Sequence, residues 1–124
     1  MGSVFATETG PEAPSLKREF LDSLSTEAVR VNYDPANLVM RGFDHVQGVK
    51  ELAPYIVHTH AKDGIRTPEG RGKEVPLGEG QVDWPAYLAA LEEVGYDGFF
   101  TIEREVGEDP VGDIAKAIEF LRRF

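Results

Sequence analysis

Four short apolar runs, spaced about one strand-plus-helix unit apart, each close on an acidic or imidazole side chain. They are Val4 to Glu8, Val29 to Asp34, Tyr55 to His60 and Gly98 to Glu103. Short β-prone runs alternating with amphipathic, helix-length segments build parallel sheets. In such a sheet the carboxyl ends of the strands gather on one face, so residues distant in the chain can reach one point. Glu8, Asp34, His60 and Glu103 therefore form a candidate divalent-metal site. Three carboxylates and one imidazole suit Mn²⁺, Mg²⁺ or Co²⁺, with Zn²⁺ possible, better than a thiolate-preferring ion. The chain has no cysteine, which excludes disulfides and thiolate sites.

The segments between the runs carry helix signals. Ser15 is expected to cap a helix reaching about Leu24, with Leu16, Phe20, Leu21 and Leu24 as its apolar stripe. After the second run, a loop through Pro35, Asn37 and Gly42 leads to Asp44, which is expected to start a helix ending at Leu52. His45 falls on that helix, facing solvent. Pro54 precedes the third strand. The polar stretch from Lys62 to Gln81 reads as a long loop, and loops of that length tend to carry function. Asp83 caps a helix opened by Trp84-Pro85 and closed at Gly95. Asp109-Pro110 starts the last helix, with Ile114, Ala117, Ile118 and Leu121 expected to face inward.

The expectation is an α/β fold: one domain, residues 1–124, made of four βα units with parallel strands and right-handed crossovers. A closed eight-stranded barrel takes ~250 residues, so 124 residues make half of one. Four strands leave two open edges, and dimerisation is the simplest way to cover them. A net charge of −9 argues against a nucleic-acid partner. No apolar run approaches the ~20 residues of a membrane helix, and no basic-then-apolar leader opens the sequence. The expected location is cytoplasmic.

In Asp34-Pro35-Ala36-Asn37, His58-Thr59-His60-Ala61-Lys62-Asp63 and Leu77-Gly78-Glu79-Gly80, followed by Gly95-Tyr96-Asp97-Gly98 and Ile102-Glu103, the chain resembles the sugar phosphate isomerase/epimerase superfamily. This is the xylose isomerase-like TIM-barrel group, and the resemblance maps to the carboxyl-terminal half of its barrel. It implies a divalent ion held by Glu8, Asp34, His60 and Glu103. It also implies that Glu8 and Glu103 exchange protons with the carbon beside a carbonyl while the ion polarises the oxygens. In the group's nuclease and epimerase branches a second His follows the Asp by three residues, where Asn37 stands here. The nuclease branch also has an Asp and a His where Gly72 and Glu74 stand at about those positions, so its extra zinc ligands are missing and a single-metal sugar enzyme is favoured.

His58 and His60 share strand parity, and the group's His-x-Lys-Asp pattern selects His60 as the ligand. That leaves His58 as a supporting or substrate-binding residue. Lys62, of the same parity, either reaches a substrate hydroxyl or phosphate or is a solvated loop lysine. Arg66, with Arg71 and Lys73, lies on the long polar stretch, which reads first as a mobile surface loop and second as a contact for an anionic sugar. Leu77-Gly78-Glu79-Gly80 lacks a Walker lysine and follows no strand, so it reads as a turn before Trp84 rather than a nucleotide loop. The functional expectation is a metal-dependent isomerase or epimerase acting on a small sugar or polyol. The alternative is a half-barrel fragment, excised, designed or degenerate, that folds and oligomerises without a complete active site. A third possibility is a protein that binds a metal–polyol complex without turnover.

Overall fold

The computed structural model describes residues 5–10, 12–26, 28–98, 100–102 and 108–123. Its elements are β1 (Phe5–Glu8), α1 (Pro14–Ser23), β2 (Val29–Tyr33), α2 (Pro35–Met40), α3 (Gln47–Leu52) and β3 (Ile56–Ala61). They continue with β4 (Asp63–Arg66), β5 (Gly72–Val75), α4 (Trp84–Glu93), β6 (Phe100–Ile102) and α5 (Pro110–Leu121). A four-stranded sheet runs β1-β2-β3-β6, and every pairing in it is parallel. This is the expected α/β half-barrel, with β1 and β6 at the edges of the sheet.

The two faces of the sheet differ because side chains alternate along a strand. Val31 and Tyr33 of β2 are fully buried in a core with Leu21, Leu38, Val49, Leu52, Tyr87 and Leu91 from the helices. Burying each Val or Leu contributes roughly 1.5–3 kcal/mol. Tyr33 stacks on Tyr87 at 5.9 Å, and Trp84 meets Tyr87 edge-on at 5.7 Å. The opposite parity, Asn32 and Asp34, leaves that core. Between β2 and β3 the register slips: Val31 pairs with Ile56 but Asn32 with His58. The extra residue, Val57, is an exposed bulge. It keeps Ile56 on the core side while His58 lies beside Asn32.

Local helix signals hold at α4 and α5. The Asp83 carboxylate accepts from the Ala86 N–H at 3.1 Å, and Asp109 from the Gly112 N–H at 3.1 Å. Gly95, at φ +82°, closes α4 in the left-handed region.

Elsewhere the structure departs from the sequence reading. Helix α1 starts at Pro14, with Ala13 before it and no side-chain cap; proline's fixed φ and missing N–H suit that first position, so Ser15 falls inside the helix. Leu16 and Phe20 are 57% and 59% exposed, because α1 flanks the sheet's edge and packs on one side only. Lys17 is buried instead, donating to Thr7 Oγ1 at 2.7 Å and pairing with Glu12 at 2.9 Å.

The loop after Asp34 is in fact helix α2. His45 lies in a turn before α3, half-buried, and its Nε2 accepts from the Asp83 N–H at 2.9 Å. The long polar stretch folds into an antiparallel hairpin, β4 against β5. Ile118 is 41% exposed rather than inward, since α5 flanks the other edge. The start of the first run at Val4, and Phe99 of the fourth, lie outside the described residues.

Candidate metal centre

Glu8 ends β1 and Asp34 follows β2, and a local hydrogen-bond clasp holds these strand ends together. The Thr9 hydroxyl donates to the Asp34 carbonyl at 2.8 Å and accepts from the Asp34 N–H at 2.9 Å. The Asn37 amide donates to the Thr9 carbonyl at 3.1 Å. Gly10, at φ +141°, passes so close that a Cβ there would lie 3.1 Å from Asn37 Cβ. This backbone needs a residue without a side chain.

Asp34 is fully buried and serves two purposes. One carboxylate oxygen caps α2 by accepting the Asn37 N–H at 3.1 Å. The other, Oδ2, lies 3.0 Å from Lys62 Nζ and 3.4 Å from His60 Nδ1. The same His60 nitrogen is 3.8 Å from Glu8 Oε1. Burial by itself pushes the Asp34 carboxyl up. The His60 hydrogen bond, the Lys62 charge and the Asn37 N–H outweigh it, so the carboxyl is held below its ordinary value and stays anionic.

One ligand atom each from Glu8, Asp34 and His60 lie within 4.8 Å of one another. Metal–oxygen and metal–nitrogen bonds are ~2.0–2.2 Å, so adjustments on the order of an ångström bring these three atoms around one ion. The donor set is oxygen-rich with a single imidazole, which fits a hard or borderline divalent cation.

Of the expected site residues, Glu8, Asp34, His60 and Lys62 are brought together. Lys62 is buried against Asp34 rather than extended into solvent. His58 sits beside the cluster, its ring edge-on to His60 at 5.8 Å and its Nε2 2.6 Å from Thr101 Oγ1 on β6. Glu103 lies outside the described residues. Arg66 ends β4, apart from the cluster, and lines an open groove of about 990 Å³ with Glu8, Asn37, Arg41, Phe43 and Arg71.

Two residues escaped the sequence reading, and a third, Asp63, entered it only as part of a motif, with no role of its own. Thr9 and Asn32 are short polar side chains with no motif of their own, although the parity Asn32 shares with Asp34 was a usable signal. Asp63 is nearly fully buried and accepts five N–H bonds. Its Oδ1 takes Gly64 and Val82 at 2.8 and 3.1 Å; its Oδ2 takes Gly78, Gly80 and the Trp84 indole at 3.0, 3.2 and 3.0 Å. The Leu77-Gly78-Glu79-Gly80 turn is thus wrapped around a carboxylate supplied by this protein.

The model of the xylose isomerase-like TIM barrel family matches residues 5–124. L-ribulose-5-phosphate 3-epimerase UlaE of Salmonella paratyphi C (strain RKS4594) is 40% identical over 70 residues, which are 55% of this chain and 24% of that protein. A crystal structure of a xylose isomerase domain protein from Planctomyces limnophilus superposes with a TM-score of 0.89 at 36% identity, over 97% of this chain and 46% of that one. A xylose isomerase-like TIM barrel protein from Mycobacterium smegmatis, solved in complex with magnesium, shares the fold. Its TM-score is 0.74 at 24% identity, over 97% of this chain and 43% of the other. The matched stretch thus spans about a quarter of that curated protein, and the chain spans less than half of each of these two structures. No described helix is long and apolar enough to cross a membrane.

Proposed function

This chain belongs to the xylose isomerase-like TIM barrel family, and from that premise we propose that it carries the metal-binding half of a sugar epimerase-type active site. The observation that carries the reading is the convergence of Glu8, Asp34 and His60 at adjacent strand ends. Glu103, two residues beyond the Thr101 that meets His58, is the proposed fourth ligand. A bound Mn²⁺, Mg²⁺ or Co²⁺, with Zn²⁺ also compatible, would polarise a substrate carbonyl and the neighbouring hydroxyl, making the carbon between them acidic.

Asp34 supplies fixed negative charge, kept anionic by its partners. Glu8, half-exposed at the rim of the groove, would take a proton from that carbon. Glu103 would return one to the opposite face. The C–H bond broken on one side and re-formed on the other inverts the carbon and leaves Glu8 protonated and Glu103 ionised; proton exchange with solvent would restore both before the next turnover.

The groove beside Glu8 supports a phosphorylated substrate. Arg41, Arg66 and Arg71 line it, and none of the three pairs with a carboxylate among the described residues. In a chain of net charge −9, three guanidinium groups lining one groove against the single described carboxylate there, Glu8, favour a dianionic ligand. Gly42 makes room for one of them: a Cβ there would sit 2.8 Å from Arg66 Nη1. The phosphate in the substrate of the UlaE relatives agrees with this.

The test is exchange of solvent deuterium into L-ribulose 5-phosphate, followed by NMR with Mn²⁺ present. Metal-dependent exchange at the carbon beside the carbonyl, lost in Glu8→Gln and Glu103→Gln variants that keep their fold, is expected. Exchange that persists with a chelator, or in both variants, would refute the assignment.

A second reading is favoured by the edges. Phe5, Leu16 and Phe20 are 68%, 57% and 59% exposed on one flank, and Val111 and Ile118 are 79% and 41% exposed on the other. Apolar surface at both ends of a half-barrel favours pairing with a second copy or another half-barrel, with an incomplete site until then. Light scattering decides it: a strict monomer at micromolar concentration removes the homodimer.

A further inference from the structure

We propose that Asn32 is a positioning residue for His60, its side-chain amide setting which ring nitrogen carries the proton and so whether Nδ1 is free to hold an ion. This rests on the metal reading above. Asn32 lies on β2 opposite His58, and its Nδ2 is 3.3 Å from His60 Nε2. Its Oδ1 is buried and has no hydrogen-bond partner among the described residues. Buried amide oxygens are normally paired, so an orphan one calls for a reason.

With no described partner holding that oxygen, the amide is able to turn, and the chemistry of the ring gives the turn a use. A neutral imidazole has one N–H and one lone pair in its plane. As arranged, the Asn32 amide donates to Nε2, which puts the ring proton on Nδ1, pointing at Asp34 Oδ2 3.4 Å away. Nδ1 is the nitrogen that faces both Glu8 and Asp34, and a nitrogen ligates an ion only through a free lone pair. For Nδ1 to act, the proton must reside on Nε2, and Nε2–H then needs an acceptor. A half-turn of the Asn32 amide brings Oδ1 to the place of Nδ2. The two ends of an amide are nearly equal in size, so the exchange leaves packing unchanged.

Asn32 thus serves both forms of the ring: as donor when the site is empty of cation, as acceptor when Nδ1 is a ligand. Outer partners of this kind hold ligating histidines in many metal sites. His58 cannot take the role, since its Nε2 is engaged with Thr101.

The experiment compares the full chain with Asn32→Asp and Asn32→Leu, using imidazole ¹⁵N shifts of His60 without metal and Mn²⁺ affinity by calorimetry. The wild type is expected to show Nδ1–H. Asn32→Asp, an acceptor only, moves the proton to Nε2 and keeps Mn²⁺ affinity. Asn32→Leu leaves a mixed tautomer and loses about 10–100-fold in affinity, with an unchanged far-ultraviolet dichroism spectrum. An Asn32→Leu protein that binds as the wild type does, or an Asn32→Asp protein that falls with it, overturns the proposal. A wild type that takes up no Mn²⁺, while Asn32→Asp still moves the ring proton, sinks the metal reading and leaves the hold of Asn32 on the ring supported.

Discussion

Removing the Asp63 carboxylate should cost this protein a large part of its stability, and the size follows from its five donors. The Gly64 and Val82 N–H groups and the Trp84 indole N–H are buried with it, and each left without an acceptor costs ~1–3 kcal/mol. The Gly78 and Gly80 N–H groups are only part-buried, so water replaces their acceptor at little cost. Relief from burying a charge offsets some of the loss. Asp63→Ala is therefore expected to destabilise by about 3–5 kcal/mol, against a total of ~5–15 kcal/mol for a typical domain.

Asp63→Asn keeps one oxygen for Gly64 and Val82 but turns an N–H₂ toward Gly78, Gly80 and Trp84, and should cost roughly 2–3 kcal/mol. Urea titration read by the fluorescence of Trp84, the single tryptophan, measures both. Losses below ~1 kcal/mol for Asp63→Ala, at an unchanged denaturant slope, would refute the idea that one buried carboxylate organises the turn ahead of α4.

Other perturbations bear on different parts of the fold. Burial lowers the His45 value below the ordinary 6.5, against the raising influence of Asp44, Asp83 and Asp63. The unfolded chain then takes up that proton first as pH falls, so His45's contribution is intact above about 6.5 and fades below it. The pH dependence of the urea midpoint should flatten in His45→Gln, and an identical dependence in both proteins would show that His45 does not titrate with folding.

Phe20→Glu should reduce any self-association seen by light scattering while changing stability by less than ~0.5 kcal/mol, as expected of an exposed position. A large loss of stability would instead place Phe20 in the monomer's core. Lys62→Met removes the charge 3.0 Å from buried Asp34 and should destabilise the metal-free protein by ~3–5 kcal/mol. Added Mn²⁺ should then raise its Tm by more than the wild type's; an equal rise would mean that the ion and Lys62 do not compete for Asp34.

What the sequence determined by itself is what depends on near neighbours. The alternation around Val31 and Tyr33, the Asp83 and Asp109 caps with their following prolines, and the shared parity of His58, His60 and Lys62 are all set within a few residues. The convergence of Glu8, Asp34 and His60 was also legible, because parallel strands carry their carboxyl ends to one face whatever lies between.

Only the tertiary structure decided what needs a distant partner. Asp63 looks like one more loop carboxylate until Gly78, Gly80, Val82 and Trp84 close around it. The β4–β5 hairpin has too little apolar alternation to announce itself and is sheltered by α2. Leu16 and Phe20 read as core because a helical stripe says which residues share a face, not whether another element covers that face. The contacts of Lys62 with Asp34 and of Asn32 with His60 could not be read from the sequence, since burial and hydrogen bonding are properties of the assembled sheet.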